Sequence, residues 1–155
     1  MNSEKLSETP SHRPLPKWLI LAFAITAFIG FLDATYLTVE HYTGGNINCY
    51  ISTGCDTVAN SKYAVVLGIP MALLGAIFYF GMLILSILYL DIKKKPLIYL
   101  LVLGGITGFL FSIFLVYLQL FVLHSVCEYC MLSATTSTLL FIWGIVSLAK
   151  IADER

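Results

Sequence analysis

GIPMALLGAIFYFGMLILSILYLDIKKKPLIYLLVLGGITGFLFSIFLVYLQLFVLHSVCEYC, residues 68–130, holds two long apolar runs parted by three lysines and closed by a pair of cysteines. The runs, Gly68 to Leu90 and Leu97 to His124, each reach the about 20 residues that carry a helix across the hydrocarbon core of a bilayer. Lys93, Lys94 and Lys95 form the polar link between them. This pattern predicts two consecutive transmembrane helices. The second run is the longer and is expected to tilt or protrude.

The same signal recurs on either side. Trp18 to Tyr42, WLILAFAITAFIGFLDATYLTVEHY, is apolar except where Asp33 and Glu40 interrupt it, and a fourth run extends from Cys127 to Leu148. Of the 155 residues, 59% are hydrophobic and 12% charged, against about 25% charged in soluble domains. Mean hydropathy is +0.88. The expected fold is an all-α integral membrane protein, a four-transmembrane-helix bundle with an extracytoplasmic loop between helices 1 and 2. A net charge of zero gives no support for a nucleic-acid partner. Residues 1–16, with Pro10, Pro14 and Pro16, read as a disordered cytoplasmic lead, residues 17–150 as the membrane domain and 151–155 as a cytoplasmic tail. The first apolar run is too long for the core of a signal peptide and lacks a small-residue cleavage site, so it is expected to stay as an anchor.

Orientation follows from the basic residues. Lys5, Arg13 and Lys17 precede the first span, Lys93 to Lys95 join the second to the third, and Lys150 and Arg155 follow the fourth; only Lys62 lies on the other side. The positive-inside rule then puts both termini in the cytoplasm. The Thr43–Leu67 loop, with Cys49 and Cys55, falls outside, as does the tight link at Ser125–Val126 just before Cys127 and Cys130. All four cysteines gather at one membrane face, away from the reducing cytosol.

Cys127-Glu128-Tyr129-Cys130 is a CxxC at a predicted helix N-terminus. Its spacing puts both sulfurs on one helical face, within reach of a disulfide. The free amide groups and positive end of the helix dipole favour the thiolate, while Glu128 and the membrane oppose it. Cys130 lies a turn deeper, where a lipid-soluble electron acceptor can meet it. Cys49 and Cys55 occupy a loop with glycines at 44, 45 and 54, read as mobile and wet. Such a pair can reach outward to a soluble protein or inward to the CxxC, so the two pairs suit a relay by thiol–disulfide exchange. The rival readings are two inert structural disulfides, a four-thiolate zinc site and plain apolar packing of the cysteines.

Cys49 and Cys55, Ser61 six residues on, GIPMALLGAIFY opening the second span, CEYC opening the fourth and the leading DATYLTVEHYTGG together resemble the vitamin K epoxide reductase family over about residues 18–148. DATYLTVEHYTGG is similar to the bacterial branch. The resemblance implies a four-helix bundle around a quinone pocket near the outer face. It further implies that Cys49 exchanges with a thioredoxin-like partner, that Cys55 passes electrons to Cys127, and that Cys130 reduces a quinone of ubiquinone, menaquinone or vitamin K type, with no metal. Ser61 would order the loop or hydrogen-bond near the quinone; a plain loop-capping serine is the other reading. Met71 and Ala134 align with positions that, in the epoxide-reducing animal members, hold an asparagine and a tyrosine contacting the vitamin K head group. Quinone reduction remains plausible on this count, and epoxide reduction is put in doubt. Many bacterial relatives carry a fused thioredoxin-like domain, for which this sequence leaves no room, so a separate extracytoplasmic partner is expected.

The expected function is a membrane thiol oxidoreductase, most simply in a prokaryotic cytoplasmic membrane, that oxidises a thioredoxin-like protein and passes the electrons to a quinone, supporting disulfide formation. The alternatives are a vitamin K epoxide or quinone reductase of the endoplasmic reticulum and a disulfide-stapled membrane scaffold. Beyond the motifs, Asp33 in the outer half of its span is a candidate proton carrier or a polar anchor bonded to a neighbouring helix. It shares one helix face with Tyr36 and Glu40. His124 ends the third span close to Cys127 and could serve its thiol, or simply sit at the interface. Gly104, Gly105 and Gly108 suit close helix packing.

Overall fold

A computed structural model describes residues 15–44, 47, 49–50 and 54–153. Residues 1–14 of the polar lead, Gly45, and Glu154 and Arg155 of the tail lie outside the described residues. Four helices are long and apolar enough to cross a membrane, and the chain is an integral membrane protein. The first, α1, is Lys17–Thr43, ending in Gly44 with left-handed backbone, φ +65°. A short helix α2, Cys55–Ala59, follows, then a hairpin of β1, Val65–Val66, and β2, Ile69–Pro70. Its strands pair antiparallel, Val65 with Pro70 and Val66 with Ile69. Positive φ at both Leu67 and Gly68 is the pattern of a type I′ turn. Helix α3 is Met71–Ile92, α4 is Lys95–Tyr117, and α5 is Glu128–Asp153.

The third span exceeds the expected crossing length, and the excess is taken up in its last turn. Leu118–Val122 winds as a π helix, after which positive φ at His124 turns the chain toward α5. The fourth helix starts at Glu128, so Cys127 stands just outside that span. It also runs on to Asp153, into the segment expected as a tail.

Consecutive long helices are neighbours. α1 packs against α3 and α5, and α4 against α5 and α3, closing a ring of four. Phe23, Ala27, Ala34, Tyr79, Leu101 and Leu140 fill its middle. At the end that carries the lysines, Leu15, Leu19, Tyr89, Ile98 and Ile151 form a second cluster, and the Leu15 amide donates to the Tyr89 hydroxyl at 3.2 Å. Lipid tails give no hydrophobic drive for helices to associate, so close approach must supply it. At Gly105 a Cβ would lie 3.0 Å from the Leu140 carbonyl oxygen, which shows how tightly α4 and α5 meet. The large side chains left exposed, among them Leu21, Phe28, Ile77, Leu103, Leu110 and Ile142, face outward where lipid replaces water as solvent.

Candidate functional site

At the end of the bundle opposite the lysine cluster, the cysteines converge. Gly54 precedes α2 with φ −92°, an ordinary backbone conformation, so flexibility is not what the position requires. It requires closeness. A Cβ there would stand 2.6 Å from the carbonyl oxygen and 2.8 Å from the amide nitrogen of Val126. Glycine therefore lets the start of α2 lie directly on the strand of chain that delivers Cys127.

Cys55 and Cys127 are each 1% exposed and pack with Ile47 in one cluster, flanked by Leu37, Val58, Cys49 and Cys130. Cys49 and Cys55 form a disulfide with Cα atoms 6.0 Å apart, whereas Cys127 and Cys130 are thiols. Two backbone bonds fasten the first pair to its surroundings. The Ile47 amide donates to Asp56 Oδ1 at 3.0 Å, and the Tyr50 amide donates to Glu128 Oε1 at 2.7 Å. The wet loop expected from its glycines is thus replaced, at Cys55, by a helix N-terminus with a buried sulfur. Cys49 remains half-buried.

The second pair is held by a residue the sequence reading passed over. Gln119, 2% exposed and within the π-helical turn, accepts the Cys127 amide at its Oε1, 2.9 Å away, and its own carbonyl accepts the Ser125 amide at 3.1 Å. π turns recur where a helix must present a functional side chain. The available signal was one amide side chain in a run of apolar residues. His124, singled out earlier for its nearness in sequence, is exposed instead. Cys127, outside the fourth span, is held below the ordinary thiol range. Hydrogen bonding from the Cys130 side chain is the main cause, helped by the Cys130 and Tyr129 amides, against burial and the Glu128 charge.

Both thiols border a cavity of about 380 Å³, in the range of small-molecule sites. Ser61, Met71, Ala134 and Cys130, the four residues expected at a quinone, all line it. The Ser61 hydroxyl donates to the Val58 carbonyl at 2.8 Å, closing the end of α2. Phe78, Phe111 and Leu37 give the walls apolar surface suited to a flat ring. Polar atoms are few. The buried Tyr79 hydroxyl lies among Ser133, Thr136 and Ser137, 2.8 Å from Thr136 Oγ1 and 2.7 Å from Ser137 Oγ. An apolar slot with a thiol at one wall and a few hydroxyls fits a quinone head group. Among the described residues, no group of three or more His, Cys, Asp or Glu side chains is placed to hold a metal ion.

Asp33, Tyr36 and Glu40 part company on α1. Asp33 is 7% exposed, while Tyr36 is exposed and sets its ring 5.1 Å from that of Tyr129. Neither Asp33 oxygen has a hydrogen-bond partner among the described residues, so the expected bond to a neighbouring helix is not formed.

This chain is similar to known proteins. Thiol-disulfide oxidoreductase LTO1 of Arabidopsis thaliana is 45% identical over 49 residues, which is 31% of this chain and 13% of that relative's length. The match thus spans only a small part of the relative. The broader correspondence is to the vitamin K epoxide reductase family, whose pattern runs from residue 21 to residue 145, through all four spans and both cysteine pairs; the chain belongs to that family.

Proposed function

We propose that this protein is a membrane thiol oxidase, which takes electrons from a thioredoxin-like protein outside the cytoplasm and delivers them to a quinone. The observation that carries this reading is the seating of the Cys49–Cys55 disulfide on the Cys127 and Cys130 thiols, which in turn border an apolar cavity. A partner dithiol reduces the loop disulfide by attack at Cys49, the more accessible sulfur. Cys55 then exchanges with an oxidised Cys127–Cys130 pair at Cys127. Each exchange breaks one disulfide and forms another, so electron pairs move inward without a metal. The quinone, bound against Cys130, accepts two electrons and two protons and leaves as a quinol. Ser61 steadies α2 beside the site, and Met71 and Ala134 shape its wall without offering hydrogen bonds.

Separate donors test the division of labour. Dithiothreitol is small enough to reduce the CxxC directly, whereas a thioredoxin-like protein must enter through Cys49. Cys49→Ala should therefore lose quinone reduction with the protein donor and keep it with dithiothreitol; Cys130→Ala should lose both. Quinol formation from ubiquinone and menaquinone, and quinone formation from vitamin K epoxide, are followed anaerobically by absorbance. Equal loss in both variants with dithiothreitol would refute the assignment. Since Met71 and Ala134 provide no polar contact to an epoxide head group, the quinones should turn over and the epoxide should not.

A further inference from the structure

The relay accounts for electrons and leaves the protons unassigned. Oxidising two thiols to a disulfide frees two protons, and a quinone must gain two to depart as a quinol. Cys130 is the third residue of α5 and half-buried, and Cys127 is 1% exposed, so bulk water alone is poorly placed to take both protons.

Asp33 answers that need. It projects from the middle of α1 into the bundle, more than nine-tenths buried, with both oxygens unpartnered among the described residues. A carboxyl group left in that state is costly, and within a membrane it marks a site of function before it marks a site of stability. Its position is specific. Its helical neighbours Ala34 and Leu37 line the cavity that those thiols border, and Leu37, one turn on, packs against the cluster of Cys55 and Cys127. Among the described residues, Tyr79 of α3 packs against Gly30 one turn away and has its hydroxyl engaged by Ser133, Thr136 and Ser137, and His41 and Tyr63 line the same cavity. Tyr36, on α1 itself, turns to Tyr129.

We infer that Asp33 is the internal proton carrier of this site, taking a proton from the CxxC thiols as they are oxidised and passing it to the quinone oxygen. This inference rests on the proposed thiol-to-quinone reaction and adds a route to it. The carboxylate accepts the proton of one thiol; the two sulfurs bond; the electron pair goes to the quinone. Asp33 then returns its proton to the reduced oxygen. The second thiol proton leaves to water at the loop side, and the second quinol proton enters from the same water, so two protons are released and two are taken up.

The full-length protein, with dithiothreitol as donor and a short-chain ubiquinone as acceptor, provides the test. Asp33→Asn keeps the shape of the side chain and removes its titration. Quinone reduction should fall roughly 100-fold or more, the usual worth of a positioned proton transfer, and the acid limb of the pH–rate profile should flatten. Asp33→Glu should restore that limb in part, which a purely structural role would not produce. Independently, infrared difference spectra between the oxidised and reduced CxxC should show a carboxyl C=O band in wild type that shifts in Asp33→Glu. This measurement decides the matter even if Asp33→Asn fails to fold. A wild-type protein unable to reduce the quinone would defeat the underlying oxidase reading. Wild-type turnover with an unchanged rate and profile in Asp33→Asn, or with no carboxyl band, would defeat the carrier alone.

Discussion

Cys55 and Cys127 meet in one buried cluster, so the proposed relay would have a definite covalent midpoint. If Cys55 attacks the CxxC disulfide at Cys127, Cys130 is the thiol that later resolves the bond. Cys130→Ser should then accumulate a Cys55–Cys127 disulfide, detectable by peptide mapping without reduction. Recovery of only Cys49–Cys55 with a free Cys127 would support inert staples instead. Geometry favours trapping, because a disulfide needs Cα atoms within about 7 Å and Gly54, next to Cys55, already touches Val126, next to Cys127. The cysteines were legible in the sequence because topology alone brings two pairs to one face. Gln119 was not, since an amide in an apolar run gives no hint of which backbone group it will meet, and that partner is set by a π turn no periodicity announces. Asp33 was legible as an anomaly; its lack of a hydrogen-bond partner among the described residues was not.

At the scale of elements, the spans were readable because a bilayer sets helix length and apolarity directly. The short helix α2 was hidden. Five residues bury too little surface to leave a pattern, and glycines around it suggested mobility. What stabilises α2 is largely tertiary, the Gly54 contact with Val126 and, on the adjoining segment, the grip of Glu128 on Tyr50, with the local bond of Ser61 to Val58 closing its end. The glycine is needed for close approach, since its φ is accessible to any residue. Gly54→Ala should therefore lift α2 off the CxxC while leaving in place the cavity walls that α1, α3, α4 and α5 supply. An overpacking strain of about 1–3 kcal/mol, placed on the docked arrangement, would slow transfer from a thioredoxin-like donor by roughly 5-fold to 150-fold. Dithiothreitol-driven quinone reduction, which bypasses the loop, should keep its rate. Parallel losses with both donors would mean that α2 supports the bundle rather than the passage of electrons.

Taken whole, the molecule has two chemically distinct ends. Lys17, Lys93 to Lys95 and Lys150 flank one, where Leu15, Tyr89 and Ile151 pack together; the cysteines, the cavity and Lys62 belong to the other. Four spans with consecutive neighbours make this division inevitable, since the links between α1 and α3 and between α4 and α5 must share a face. The bias in basic residues then predicts that the cysteine end faces out. That placement matters for chemistry, because a disulfide-generating site must open on a compartment where its products survive. Burial refines what a labelling experiment should see. After mild reduction of intact cells, a membrane-impermeant maleimide should modify Cys49, which is half-buried, well ahead of Cys55 and Cys127, which are each 1% exposed. A reporter fused after Arg155 should respond only to reagents in the cytoplasm. Comparable labelling of Cys55 would show that α2 undocks readily in the membrane. A reporter reached from outside would reverse the orientation, and the thioredoxin-like donor would then have to be sought in the cytosol.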